Sequence, residues 1–330
     1  MHPDVEFTYL SSADIAALEF SDAEILDAID AQIIEQGRGE TVIEPRMHLR
    51  PKGAQGHFNV LRGALGEFAG VKVVGDYVNN YKLGLPSEMA FVLLFDPMTG
   101  MPQAILDGTA ITDMRTGALT ALGGKYLARK DSKVLGHIGA RGSAYWNVRL
   151  LNHLFDFEEI RVHSRRPESR EAFAERLQAD LRKPVLVTDN WKECLLGADI
   201  MVEASRLIEP EPHFKTEWIT PGTLVVPYGT ISAVEYSLTD IMDKIVMDDW
   251  GQASAGPFGA LRRHVDDGKL TAETLHGEIG EIAAGLKTGR ERADETILFW
   301  HRGLSLSDIA LAAAMLKKAR ALSLGRQLPL

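Results

Sequence analysis

Cysteine is nearly absent. Cys194 stands alone in 330 residues, which excludes an intramolecular disulfide and a cysteine-based zinc site. A reducing, cytoplasmic setting is expected, with Cys194 a small buried apolar residue. No run of about 18 consecutive apolar residues occurs, so no membrane-spanning helix is expected. The opening MHPDVEFTYLSS lacks the cationic start and apolar stretch of a signal peptide. The ten histidines show no HxxxH spacing, and Asp248-Asp249 has no further ligand at metal spacing, so no metal is expected. Positive charge is also scarce. With 36 Lys and Arg against 46 Asp and Glu the net charge is −10, which repels phosphate backbones and anionic lipid. Nucleic acid and membrane are therefore not expected partners, although a local basic pocket remains open.

What remains is ordinary globular composition, 45% hydrophobic and 25% charged, which excludes collagen-like and disordered classes. At roughly 150 residues per domain the length predicts two domains. No Pro-, Gly- or Ser-rich linker and no internal repeat separates them.

Residues 11–38 carry apolar residues at helical spacing (Ile15, Leu18, Ile25, Ile29, Ile33), with Ser12 or Asp14 as cap, and predict one helix. Short β-rich runs follow at 58–60, 70–74 and 90–95, then a helix of small residues over 109–129. From Ser132 strands alternate with helices. Strands are predicted at 133–138, 159–163, 199–203 and 223–227, and helices at 143–154, 168–181 and 191–196. That alternation means βαβ units and a parallel sheet covered on both faces. Residues 307–324 read as a last amphipathic helix. Glu278 and Glu281 read as surface charges.

The strand ending at Ile138 runs into IGARGSA and then a helix, the arrangement of a dinucleotide-binding turn. Gly139 suits the tight turn and Ala144 the close helix–strand contact, while Arg141 stands where a second glycine lets backbone approach pyrophosphate. Gly139, Ala140, Arg141, Gly142, Ser143 and Ala144 are the expected phosphate contacts. At the end of the second strand, where an NAD site offers an acid to the ribose, the chain has Ser164-Arg165-Arg166. Two guanidiniums and no carboxylate favour NADP over NAD, although both arginines can also be solvated loop charges beside Pro167.

Several stretches together carry a family resemblance. They are Glu44-Pro45-Arg46, GVKVV at 70–74, Asn80 with GLPS at 84–87, TDMRTGALTA at 112–121, IGARGSA at 138–144, GEIGEIAAGLKTGR at 277–290 and FWHRGLSLSDIA at 299–310. Over residues 44–314 the chain resembles the ornithine cyclodeaminase/μ-crystallin family of NAD(P)-dependent enzymes. The resemblance implies an α/β chain, with a Rossmann-type doubly wound parallel sheet over 126–304. A smaller α+β domain for substrate binding and dimerisation is implied over 1–125 plus 305–330, and a homodimer with it. It also implies amino-acid or cyclic-imine substrates, and an α-carboxylate clamp of Arg46, Lys72 and Arg115. The residues agree: Lys72 lies among Val71, Val73 and Val74, where an unpaired ammonium is unfavourable, and Arg115 lies in a helix of small residues. Arg46 is expected on a loop. Ser205 and Thr116 complete the expected cofactor contacts.

Departures from the family point to the reaction. Cyclodeaminases of this family use an acid after the strand ending near 227, but residues 227–232 read PYGTIS. A second acidic position, thirteen residues before the lysine, is Asn59, here an expected substrate contact. Without both carboxylates, ornithine cyclodeamination is disfavoured and hydride transfer to or from an imino acid remains. His301 and Arg302 stand where the family has a serine before Gly303. His301 is expected to relay a proton, and Arg302 or Arg206 to meet a second acceptor group; all three can equally cap helices or pair with acids. Lys72 is expected to manage the proton, with its pKa lowered by burial. Two other readings are a redox-neutral lyase with tightly bound NAD, and a cofactor- or small-ligand-binding protein of the μ-crystallin type.

Overall fold

A computed structural model describes residues 5–330 apart from Ile208, Pro257 and the side chain of Tyr81. The first elements are β1 (Glu6–Leu10), α1 (Ser12–Ala17), α2 (Asp22–Gly37), β2 (Val42–Leu49), β3 (His57–Leu65), β4 (Phe68–Asp76), β5 (Glu88–Phe95), β6 (Pro102–Asp107) and α3 (Gly108–Leu127). The alternating part comprises β7 (Val134–Ile138), α4 (Ala144–Phe155), β8 (Glu159–His163), α5 (Pro167–Leu181), β9 (Leu186–Val187), α6 (Trp191–Leu195), β10 (Ile200–Glu203) and β11 (Leu224–Pro227). After it come β12 (Lys244–Met247), α7 (Trp250–Ser254), α8 (Arg262–Asp266), β13 (Gly277–Glu278), α9 (Ile279–Ala283), β14 (Ile297–Trp300), α10 (Ser305–Leu322) and β15 (Arg326–Pro329).

Contacts divide the chain into two units, one running to Arg115 and resuming at Leu304, the other Thr116–Gly303. The division falls inside α3, ten residues before the boundary expected from sequence. The first unit holds a seven-stranded sheet ordered β15-β1-β6-β5-β4-β3-β2. Its neighbours are antiparallel except β1 with β6. The second holds an eight-stranded, wholly parallel sheet ordered β13-β12-β14-β11-β10-β7-β8-β9. Its order reverses between β7 and β10, the switch point at which doubly wound sheets take their ligands.

The structure corrects the sequence reading in five places. Residues 11–38 form two helices, because Glu19 adopts a φ of +47° between them. The caps are Ser11 with Asp14 and Ser21 with Glu24, each a reciprocal box that satisfies the orphan N–H groups of a first turn. Arg46 lies on the strand β2 rather than a loop, at a bulge between Glu44 and Met47 where Pro45 is tolerated. The last helix begins at Ser305 and is buried all round to Ala313, so it is a core helix in its first half. Glu278 is half-buried, accepts from Trp250 N at 2.8 Å and has its pKa pushed up to about 7 by burial.

α10 packs against β3, β4, β5 and α2 in the first unit. Its approach to β4 depends on Gly70, where a Cβ would lie 2.7 Å from Ile309 Cγ1.

Candidate active site

In the first unit, β4 alternates between a buried and a half-buried face, and Lys72 falls on the buried one with Phe68, Gly70 and Val74. The neighbouring valines, Val71 and Val73, point to the other face. This is the reverse of what side-chain polarity alone would place there, so the lysine must have partners. It has one on α10. Lys72 Nζ donates to Asp308 Oδ1 at 2.8 Å, and Arg115 Nε donates to the same oxygen at 2.9 Å. Lys72 and Asp308 are 1% and 0% exposed, and Arg115 is buried. Asp308 Oδ2 meets no hydrogen-bond donor among the described residues.

Burial drives the Lys72 pKa down from 10.5 to about 8. The Asp308 carboxylate opposes that fall, the Arg115 guanidinium adds to it, and Glu88 opposes it weakly. Two buried cations share one buried carboxylate, so the group carries an excess positive charge. That charge suits the group to a small anion.

The register carries Asn59 to the same sheet face, opposite Val74, as Leu61 lies opposite Lys72. Asn59 Oδ1 is buried and meets no donor among the described residues. Arg46 is half-buried on β2. Lys72, Arg115 and Asp308 are thus joined by direct bonds, Asn59 shares their sheet face through strand register, and Arg46 lies in the β2 bulge that the register skips.

In the second unit, Gly139 follows β7 with a φ of +108°, and a Cβ there would sit 2.6 Å from Ala204 O. Only glycine fits this turn. Arg141 and Gly142 are exposed, Ala140 and Ser143 half-buried, and Ala144 wholly buried. A dinucleotide phosphate fits this arrangement, because a glycine-only cradle, open residues after it and the start of α4 coincide at the switch point. Ser164, Arg165 and Arg166 follow β8. Arg165 Nη2 donates to Glu211 Oε2 at 2.9 Å, and Ser164 Oγ donates to Arg166 O at 3.4 Å. Ser205 N donates to Glu203 Oε1 at 2.8 Å, and its hydroxyl bonds the same oxygen. Thr116 is buried and its carbonyl accepts from Thr120 Oγ1 at 3.2 Å.

His301 is wholly buried. Its ring stacks on Tyr228 with centroids 4.6 Å apart, and its Nε2 lies 2.9 Å from Thr120 Oγ1. Arg302 Nη1 donates to the Gln252 and Ala255 carbonyls at 2.8 and 3.0 Å. Asp248 Oδ2 accepts from Arg302 N and Gly303 N at 2.7 and 2.9 Å, so this acid ties the end of β14.

Two groups escaped the sequence reading. Asp308 is signalled only by a carboxylate inside the apolar run LSLSDIALAAA. Glu203, which ends β10, is wholly buried with its pKa pushed up to about 7 by burial, and its Oε2 meets no donor among the described residues.

The profile of the Ornithine cyclodeaminase/mu-crystallin family matches residues 6–322. Alanine dehydrogenase of Archaeoglobus fulgidus is 30% identical, over 98% of both chains. Among solved structures, Thermococcus litoralis Delta(1)-pyrroline-2-carboxylate reductase in complex with NADH and L-proline is 30% identical with a TM-score of 0.90, covering 98% of this chain and all of the other. An archaeal alanine dehydrogenase dimer with bound NAD is 28% identical with a TM-score of 0.88, covering 98% and 99%. On that profile, and on the Lys72 and Gly139 motifs now placed in two units, the chain belongs to the ornithine cyclodeaminase/mu-crystallin family.

Proposed function

We propose that this chain is an NAD(P)-dependent oxidoreductase of imino and amino acids, working as an imine or ketimine reductase or an amino-acid dehydrogenase. The observation that carries this reading is the buried Lys72–Asp308–Arg115 group, whose excess positive charge calls for one small anion. An α-carboxylate is such an anion. It gains charge-assisted bonds from Arg115 and Lys72, with Arg46 and Asn59 as further contacts. When bound, the nicotinamide supplies hydride to the α-carbon in reduction and accepts it in oxidation. Gly139–Ala144, Ser164, Arg165, Arg166, Ser205 and Thr116 are the residues to hold it. Lys72 keeps a proton at Nζ available to the substrate nitrogen, and a cationic iminium accepts hydride far more readily than a neutral imine. Orientation by the clamp and its field supply most of the catalysis.

NADP is the favoured cofactor, because the turn after β8 offers Arg165 and Arg166 and no acid of its own. A cytoplasmic setting accords with Cys194, the single cysteine, buried and with its thiol pushed up to about 12. A homodimer accords with the outer face of the first unit's sheet, where Val42, Met47, Met89 and Phe91 are 44–60% exposed. No helix among the described residues is long and apolar enough to cross a membrane.

The decisive assay is a panel of cyclic imines, and of 2-oxo acids with ammonia or methylamine, followed by loss of the reduced nicotinamide's absorbance with NADPH and NADH. Turnover of at least one carboxylate-bearing imine is expected. Tight nucleotide binding with no consumption across the panel would refute the reading. Light scattering on an eluting column tests the dimer, and a monomer would refute that part alone.

A further inference from the structure

Behind the glycine turn lies a run of polar groups that ends at Ser143, and for three of them, His137, Asn147 and Tyr228, the family resemblance gave no role. His137, on β7, has Nδ1 at 3.1 Å from the Gly139 carbonyl and Nε2 at 3.0 Å from Asn147 Nδ2. Asn147 Nδ2 lies 2.7 Å from the Tyr228 hydroxyl, which lies 2.8 Å from Ser143 Oγ. His137 and Asn147 are 0% exposed. Asn147 Oδ1 meets no donor among the described residues.

The direction of the bonds as far as Tyr228 follows from the first member, and that of the Tyr228–Ser143 bond is inferred from the phenol. A carbonyl only accepts, so His137 Nδ1 carries a proton. Burial lowers the His137 pKa to about 4, so the ring is neutral and Nε2 is an acceptor. Asn147 therefore turns its amide N–H groups inward, one to His137 and one to Tyr228. The phenol oxygen has one lone pair conjugated into its ring and one that accepts well. Having accepted from Asn147, it gives its own proton to Ser143 Oγ. The Ser143 hydroxyl then holds an accepted bond and keeps its own proton to give away.

The helix does not engage the hydroxyl oxygen, although its first-turn N–H groups are donors. Ser143 is the residue before α4, yet its backbone is αR and its side chain makes no capping bond. The ring of Tyr228 is held from behind. Thr120 Oγ1 gives its proton to the Thr116 carbonyl at 3.2 Å, so His301 Nε2–H donates to Thr120 and the imidazole is fixed flat against the phenol.

We propose that His137, Asn147, Tyr228 and Ser143 form a one-directional hydrogen-bond chain that presents the Ser143 hydroxyl as a donor to the dinucleotide phosphate. Tyr228 is then a positioning residue for the cofactor, and His301 is its platform rather than a proton relay. The added donor offsets the second glycine of the turn, which Arg141 replaces. This rests on the proposed nucleotide binding at Gly139–Ala144.

The test uses the full chain, with NADPH and NADH as probes and dissociation constants taken from calorimetry. Ser143→Ala is expected to weaken binding roughly ten- to a hundredfold, as for a lost bond to a charged acceptor. Tyr228→Phe is expected to weaken it about three- to fivefold, and the double variant to match Ser143→Ala alone. Ser143→Thr, which restores a hydroxyl, should recover most of the loss; a merely structural role predicts no such rescue. Independent, multiplying effects, or unchanged binding in Tyr228→Phe with thermal unfolding unaltered, overturn this proposal only. A wild-type chain that binds neither nucleotide overturns both this and the reading beneath it. Should Tyr228→Phe fail to fold, absence of any loss in Ser143→Ala overturns it instead.

Discussion

Replacing Asp308 by Asn removes the single negative charge from a buried group and leaves the volume nearly unchanged. Lys72 Nζ and Arg115 Nε lie 2.8 and 2.9 Å from the same oxygen. At an effective dielectric of about 20, a unit pair at that separation is worth roughly 6 kcal/mol before desolvation. The amide oxygen keeps a hydrogen bond, so about 2–3 kcal/mol is a reasonable share to lose, or about two pH units on the Lys72 titration. The sign is fixed. Asp308 holds the ammonium form up against burial, so its neutralisation takes the Lys72 pKa from about 8 toward about 6. The assay is kcat/KM for imine reduction from about pH 5 to about pH 10, which reports groups of the free enzyme. The alkaline limb near 8 in the wild type should move down by one to about two units, with roughly 20-fold lower kcat/KM just above neutrality. Melting should fall as well, since breaking a buried pair costs about 3–5 kcal/mol. An alkaline limb that stays in place, with cofactor affinity intact, would refute the coupling of Asp308 to Lys72.

Three further outcomes are expected. Lys72→Met should abolish turnover while leaving the nucleotide dissociation constant within about twofold, because Lys72 is not among the groups assigned to nucleotide binding; retained turnover removes the lysine from the mechanism. Arg165→Ala should raise the KM for NADPH by roughly tenfold and leave that for NADH nearly unchanged, as expected for a lost charge-assisted bond to a 2′-phosphate. Equal effects on both nucleotides would mean that Arg165 serves only its bond to Glu211. Glu203 has a folded pKa of about 7 against 4.5 unfolded, so the folded chain binds the extra proton between those values. Its contribution is present in full below about pH 4.5 and lost as pH rises to about 7, by about 3 kcal/mol at most. Glu203→Gln should flatten that decline in denaturant titrations, and an unchanged slope would show that Glu203 is ionised in the folded chain.

The alternating half was legible because its signals are local. Strands of four or five residues, Gly139 at a strand end and a helix after it are all written in adjacent positions, and β7, α4 and β8 fall within one residue of where they were expected. The break at Glu19 was not legible, since apolar spacing continues across it from Leu18 to Ile25. Nor was β2, whose Pro45 reads as a loop until an edge strand with a bulge accommodates it. β15 escaped for a similar reason, because four exposed residues become a strand only by pairing with β1.

The sequence by itself determined the fold class, the family, and two cations, Lys72 and Arg115, that stand in apolar or small-residue surroundings, because each follows from residue order and spacing. Tertiary structure alone decided what those cations meet. Asp308 is 236 positions from Lys72 and 193 from Arg115, and only the docking of α10 onto β4 makes one carboxylate oxygen the shared partner of both. The contacts that run from His137 to Ser143 were likewise decided in three dimensions. A tautomer depends on which atom faces a carbonyl, and chain order does not encode that distance.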